Sequence, residues 1–275
     1  CDSLLVMCTG KARKLAQKNG VKTFAYVTDY PSLATSIKRR KTNFPKRIMQ
    51  SLYDGYADRD LKKYDGYVLV AEALKDLIGF GQKPYIVIED IISVPDSVEE
   101  RHKEANSPFT IVYGGALCER FGVNKLADAV KAIPGADINM CFYGSGESVD
   151  YINMINKTDT RIRYCGQVPF DELQVIQRNA DLLVNPRPSD EAFAAYSFPS
   201  KTLSYMLTGT PVLTTRIPGI PSSYQPYLLW FDAEDTESMT EKILEIAARP
   251  DKELRDIGAK ALTFAKNEKN SIAQT

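Results

Sequence analysis

Five stretches of the sequence set cations, hydroxyls or flexible backbone where an anion can be held. "GGALCERFG" offers Gly114 and Gly115, which allow close backbone approach, and Arg120, a forked cation. "YGSGE" carries Gly144 and Gly146 in a small-residue loop opening a helix; a single Gly-x-Gly without a third glycine is not a dinucleotide fingerprint. "CGQVPFDEL" offers Gly166, Gln167 and Val168, whose backbone groups suit a planar base, with Asp171 as a helix cap. "NPRPSDEAF" sets Arg187 just past a strand. The densest stretch is "YSFPSKTLSYMLTGTPVL", where Pro199 suits the first turn of a helix and Ser197 a cap. Free N–H groups and partial positive charge at that helix start, joined by Ser200 and Lys201, make an anion site of diphosphate size. The same residues also fit plain turns and a capped core helix with a surface lysine.

Other chemistries are poorly served. The only histidine, His102, lies in the charged run "DSVEERHKEAN" without ligand neighbours, so no metal site and no histidine triad is expected. Asp58 and Asp60 sit two apart on a helical pattern and point about 200° from one another, so they cannot share a metal. Glu99 and Glu100 read as linker surface. Cys1, Cys8, Cys118, Cys141 and Cys165 form no Cys-x-x-Cys pair, and three fall in apolar strand-like runs, as expected of reduced, cytosolic thiols.

Lysine plus arginine (35) balances aspartate plus glutamate (35), so no overall field draws the chain to nucleic acid or membrane. One local patch, "KRRKTNFPKR" from Lys38 to Arg47, packs six cations into ten residues. It reads either as a solvated loop or as a peripheral contact with anionic head groups or a lipid-diphosphate acceptor. Nucleic-acid binding would need more basic surface with interleaved aromatics and is not expected. No run reaches the ~20 apolar residues of a membrane span, and no signal peptide is visible. The expected location is cytoplasmic, at most peripheral at the inner face of the membrane.

The elements that must position these residues read as an α/β chain of 275 residues, long enough for two domains. From Phe109 onward the runs "FTIVYGGAL", "DINMCFYGSG", "IRYCGQVP", "ADLLVNPRP", "TPVLTTRI" and "LLWFD" alternate with helical patterns, which implies a parallel sheet covered on both faces. The first ninety residues show a shorter version, with "SLLVMC" as an opening strand, and a start inside such a strand suggests that an N-terminal portion is absent. Expected boundaries are a partial Rossmann-like domain over 1–90, a linker over 91–108, a second Rossmann-like domain over 109–250 and a helix over 251–275 packing on either domain. Ligands of such sheets sit beyond the carboxyl ends of the strands, where the stretches above fall.

"FYGSGE", "CGQVPFDELQVIQRNADLLVNPR", "SFPSKTLSYMLTGTPVL" and "IPGIP", in this order and spacing, resemble the C-terminal half of retaining GT-B glycosyltransferases, close to the family-4 enzymes of surface-polysaccharide synthesis. The resemblance covers Thr110 to Glu245 well and the first unit more loosely, through "VTDYP" and "YDGYVLVAEALKD". It implies two facing Rossmann-like domains, a nucleotide-sugar donor on the second, a glycan or lipid-linked acceptor on the first, and no metal or other cofactor. The donor diphosphate would lie against Gly114, Gly115 and the residues from Ser197 to Lys201, the base near Gly166 to Val168, and Arg120 and Lys201 would neutralise the leaving group. The family's two glutamates fall on Tyr196 and Ser204, its loop lysine on Phe121, and a histidine facing the sugar near Asp29. Ser204 offers a ribose hydroxyl one hydrogen bond in place of a carboxylate. A non-catalytic GT-B-like subunit or fragment is therefore the alternative to an active transferase, and a sugar-nucleotide epimerase is a more distant one.

Overall fold

The computed structural model describes residues 2–28, 30, 44–90, 101, 107–135, 137–191 and 193–270. Asp29, Glu99, Glu100, His102 and the basic stretch over 38–43 lie outside them, and the side chains of 2–9, 44–47 and 50 are likewise not described. The chain divides into two compact units, Cys1–Asp90 with Ala192–Phe198, and Ile91–Glu191 with Pro199–Thr275.

The first unit runs α1 (Asp2–Lys18), β1 (Phe24–Val27), α2 (Phe44–Leu61), β2 (Gly66–Leu69), α3 (Leu74–Ile78) and β3 (Tyr85–Val87), with a parallel sheet ordered β1-β2-β3. The expected opening strand "SLLVMC" is instead part of α1. Leucine, methionine and the following "KARKLAQK" are good helix formers, and no glycine-turn pair interrupts them before Asn19 and Gly20. Asp58 and Asp60 do fall on a helix, α2. Asp60 is buried in an ion pair with Arg13 of α1 at 2.6 Å, which ties the two helices together. Asp65 accepts from the Thr23 amide at 2.7 Å, the Thr23 hydroxyl at 2.8 Å and Gln17 at 3.1 Å, joining the end of α1 to the entries of β1 and β2. These bonds, the Thr23 amide first, favour the carboxylate and hold its pKa down to about 2. Tyr67 and Phe80 stack with centroids 4.1 Å apart in the unit's core, against which Tyr196 also packs.

The second unit carries β4 (Phe109–Ala116), α4 (Val123–Ala132), β5 (Ile138–Ser145), α5 (Val149–Asn156), β6 (Ile162–Tyr164), α6 (Phe170–Asn179), β7 (Leu182–Asn185), α7 (Ser200–Met206), β8 (Val212–Thr214), β9 (Leu229–Trp230), α8 (Thr236–Ala247) and α9 (Asp251–Glu268). All six strands are parallel, ordered β6-β5-β4-β7-β8-β9. The order reverses between β4 and β7, so the crevice where a doubly wound sheet takes its ligand opens at the exits of these two strands. Their inward residues Ile111, Leu182 and Val184, with Phe142, Leu126, Ile243 and others, form the core. Asp181, at the entry of β7, accepts from the Thr110 amide at 2.8 Å and from Arg101, which fixes β4 beside β7. Among the described residues no helix is long and apolar enough to cross a membrane.

The C-terminal helix α9 docks on this unit: Phe264 meets Tyr224 edge-on at 5.1 Å and stacks on Tyr227 at 4.3 Å. Gly258 is its closest approach, since a methyl group there would run into the Gly209 carbonyl and meet Pro211 N at 3.1 Å. Gly258→Ala should lower stability by roughly 1–3 kcal/mol through overpacking. Gly55→Ala, on α2 with open space around it, should raise it by up to about 1 kcal/mol. Melting of the two variants by circular dichroism checks both; a neutral Gly258→Ala would mean that the helix can shift away without loss.

Candidate functional site

β4 and β5 stay paired to their last residues, with Gly115 opposite Gly144 and Ala116 opposite Ser145. The two glycines of β4 serve different ends. Gly114 is locked by the fully buried Tyr205, whose hydroxyl accepts from the Gly114 amide at 2.8 Å and donates to its carbonyl at 3.1 Å. A methyl group on Gly114 would meet Gln177 Nε2 at 2.7 Å and Leu173 at 3.1 Å, so this residue answers to packing against α6. Gly115, at φ 140°, leaves the space that the end of the Lys201 side chain fills. Gly144, at φ 129°, admits the Gly115 carbonyl at close range. Its amide donates to the Gly166 carbonyl at 2.8 Å, and the Tyr164 hydroxyl donates to its carbonyl at 3.1 Å. The exits of β4, β5 and β6 are thus laced through Gly115, Gly144 and Gly166.

Lys201 is not the surface lysine of the simplest expectation. It is half-buried in the first turn of α7, with Nζ 3.8 Å from the centroid of the fully buried Tyr113 ring. The Tyr113 hydroxyl is turned away, donating to the Ala116 carbonyl at 2.8 Å. Among the described residues no carboxylate pairs with the ammonium. Burial first, and then the positive charge of Arg187, push its pKa down to about 7, against a small opposing effect of Cys118.

Around this pair the β7 and β8 exits are also tied. Asn185 donates to the Thr202 hydroxyl at 3.0 Å, the Thr214 hydroxyl donates to the Asn185 carbonyl at 3.0 Å, and the Thr215 hydroxyl donates to the Arg187 carbonyl. Arg187 is half-buried and close enough to act on Lys201 electrostatically. Tyr205, Tyr113 and Asn185 were not singled out from the sequence. Tyr205 had a usable signal, its place one helical turn after Lys201.

Several expected details differ. Pro199 precedes α7 rather than opening it and no side chain caps the helix; the Ser197 hydroxyl instead donates to the Phe193 carbonyl at 3.1 Å. Proline's fixed φ suits that junction as well as it suits a first turn. With seven residues, α7 contributes little dipole, and the positive charge at its start is mainly that of Lys201. Asp171 is exposed inside α6 with Pro169 before the helix, so it does not cap it. Ser200 is exposed and Ser204, one turn on, half-buried. Arg120 is exposed, its guanidinium 4.7 Å from the ring of its neighbour Phe121, and it is not drawn to Lys201. Gly146 lies against the Leu117 carbonyl. Gln167 is exposed and Val168 half-buried on the loop beyond Gly166. Among the described residues no three histidine, cysteine or acidic side chains are placed to hold a metal.

A lysine held at a pKa near 7 weakens the fold at every pH where the unfolded chain carries the proton. The cost is complete below about pH 7 and disappears as pH rises through the ordinary value of 10.5. Lys201→Met should therefore raise the unfolding free energy by a few kcal/mol at pH 7, with the gain shrinking to near zero by pH 10.5. Urea titrations at both values check this; a gain independent of pH would show that the methionine acts through packing alone.

Compared by sequence with curated proteins, the chain finds no match. A family model described as glycosyl transferases group 1 matches residues 108–249. Among solved structures, the sucrose-phosphate synthase of Thermosynechococcus elongatus aligns with a TM-score of 0.71 at 15% identity, over 95% of this chain and 67% of that one. HepE of Anabaena, solved in complex with UDP, aligns at 0.69 and 12% identity over 98% and 73%. TarM aligns at 0.64 and 16% identity over 91% and 48%, so the chain spans about half the length of TarM. At such identities these likenesses speak for the fold, which is GT-B. On the match over 108–249, which contains the crevice, the laced glycines and Lys201, the chain belongs to glycosyl transferases group 1.

Proposed function

We propose that the chain transfers a sugar from a nucleotide-diphosphate donor to a glycan or lipid-linked acceptor, as a cytoplasmic enzyme of surface-polysaccharide synthesis. Transfer occurs with retention at the anomeric carbon and without a metal, as the resemblance implies. The observation that carries the proposal is the Lys201 ammonium, desolvated beside Tyr113 with Arg187 near it and no carboxylate partner among the described residues. A bound diphosphate supplies the missing negative charge, and it does so most strongly when the glycosidic bond breaks and charge builds on the leaving oxygens. Arg120, an exposed fork beyond the same loop, is assigned as the second cation. The base is assigned to the loop of Gly166, Gln167 and Val168, the ribose to Ser204, and Asp29 to the sugar side.

Titration calorimetry with UDP, GDP and ADP in turn, without added metal, tests the site. One nucleotide should bind saturably, and Lys201→Ala should weaken it roughly ten- to a hundredfold, the worth of one charge-assisted contact. A variant that binds as tightly as the parent removes Lys201 from the mechanism. Binding should also raise the Lys201 pKa, because the anion favours the protonated form. At pH 8, where the free group is mostly neutral, complex formation should take up a substantial fraction of one proton. Titrations in Hepes and Tris, whose ionisation heats differ, read that number directly; no uptake would mean that the diphosphate lies elsewhere.

A second reading is a nucleotide-binding subunit without transfer. It draws support from positions 196 and 204, where neither side chain is a carboxylate and the half-buried Tyr196 packs against the hydrophobic core of the first unit. Release of nucleotide from a set of nucleotide sugars separates the two: turnover with one donor supports transfer, and tight binding without turnover supports the second reading.

A further inference from the structure

Helix α2 of the first unit has its faces exchanged. A surface helix ordinarily shows its carboxylates to water and buries its apolar residues. Here Asp54 and Asp60 are buried together with Ala57, and Asp58 is half-buried. From Ile48 onward the exposed side chains are Ile48, Met49, Ser51, Leu52, Tyr56 and Arg59. Met49 and Leu52 are 71% and 70% exposed. The four apolar side chains stand three and four residues apart, so they make one continuous stripe, and Arg59 lies on it one turn beyond Tyr56. A single exposed leucine needs no account, but an apolar stripe marks a surface that something covers.

The charge around the stripe has one sign. No acidic residue stands between Tyr30 and Tyr53, a length of sequence that includes the six cations from Lys38 to Arg47, and Lys46 and Arg47 fall in the first turn of α2. At the other end Arg59 is exposed, its Nε donating to the Gly55 carbonyl at 2.8 Å, and the exposed Lys62 and Lys63 follow. The aspartates that could balance these charges are the ones turned inward, Asp60 by its pair with Arg13. A second copy laid on this face would meet its own cationic rim. An anionic lipid surface matches both features at once. Apolar side chains enter the acyl boundary, tyrosine sits at head-group level, and the cations stay with the head groups.

We propose that the exposed face of α2, formed by Ile48, Met49, Leu52, Tyr56 and Arg59, docks on a bilayer that carries anionic lipid. Among the described residues no helix is long and apolar enough to cross a membrane, so α2 lies in the interfacial plane. Burial of the stripe supplies one part of the affinity and the clustered cations the other, which makes docking depend on lipid charge and on salt. The donor-site assignments above use none of these residues, and the surface stands whether or not the chain transfers a sugar.

The full chain is mixed with sucrose-loaded vesicles of phosphatidylglycerol and phosphatidylcholine in equal parts, or of phosphatidylcholine alone, and sedimented. Binding to the mixed vesicles should exceed binding to phosphatidylcholine by about tenfold or more, and should fall as salt rises from about 50 to about 500 mM. Met49→Ser combined with Leu52→Ser should weaken it roughly tenfold or more, as expected for two apolar side chains that leave water on docking. Arg59→Gln should weaken it about fivefold, as expected for one cation near an anionic surface. All three side chains are exposed, so the thermal midpoint of these variants should stay near that of the parent. If it falls, Leu52→Trp decides instead: its emission should shift to the blue on mixed vesicles and be quenched by brominated lipid. The parent's single tryptophan, Trp230, lies in the second unit and gives the baseline. No preference for anionic vesicles, a double serine variant that binds as the parent does, or unshifted Leu52→Trp emission from bound protein overturns the proposal. So does a stable dimer in sedimentation velocity that the serine substitutions break, because the face then belongs to a second copy.

Discussion

Taking the Lys201 ammonium out of water costs more than its contact with Tyr113 returns. A cation over an aromatic face is worth about 0.5–2 kcal/mol, whereas a pKa brought from 10.5 to about 7 corresponds to roughly 3–5 kcal/mol of lost preference for the charged form. Among the described residues nothing at the ends of β4 and β7 beyond the small effect of Cys118 offsets that difference, and the neighbouring charge of Arg187 adds to it. The surrounding contacts keep the lysine in this position. Gly115 leaves room for its end, Tyr205 clamps the Gly114 backbone from the next turn of α7, and Asn185 holds Thr202, the residue after Lys201. A charge kept in a costly place by several independent contacts is the arrangement expected where a ligand, rather than the protein, completes the pairing.

The same contacts make the site rigid before any ligand arrives. Because Gly144 bonds to Gly166 and lies against Gly115, three strand exits move together or not at all. The hydroxyls of Thr214 and Thr215, at the exit of β8, tie it to the carbonyls of Asn185 and Arg187 in the same way. Preorganised donors and cations are effective because they need not reorient as charge develops, and this lacing provides that condition at the β4–β7 switch point.

The sequence carried the second unit well because its six strands are near-continuous apolar runs and its helices have a clear period, so each strand exit could be placed within a residue or two. It carried the site less evenly. The glycines of "GGALC" and "YGSGE" were visible, but composition cannot tell a glycine that faces a ligand from one that faces protein; Gly114, Gly144 and Gly146 all turn out to be pressed by neighbouring atoms. Tyr205 and Asn185 were hidden because a buried tyrosine or asparagine reads as core filling until its partner is known. The first strand was misassigned because a run such as "SLLVMC" is apolar in either state, and only its continuation into "KARKLAQK" decides for helix. Ser197 was misread because a serine two residues before a helix can bond forward to the helix or back to its own turn with equal sequence support.

On the donor reading proposed above, a serine rather than a carboxylate at position 204 changes how affinity is distributed over the site. A glutamate on a ribose supplies two charge-assisted acceptors, whereas a serine supplies one neutral hydrogen bond, a difference of about 1–2 kcal/mol or more. With that contribution removed from the sugar of the nucleotide, a larger share of binding must come from the diphosphate. On that reading this share falls to the Lys201 ammonium, whose charge state changes near neutral pH. A site of this kind binds best where the free lysine is still protonated, weakens as pH rises from the pKa of the free form to that of the bound form, where complex formation takes up a proton, and changes no further above it. Ligand recognition and protonation are then one equilibrium, set by the same burial against Tyr113 that the fold maintains at the expense of its own stability.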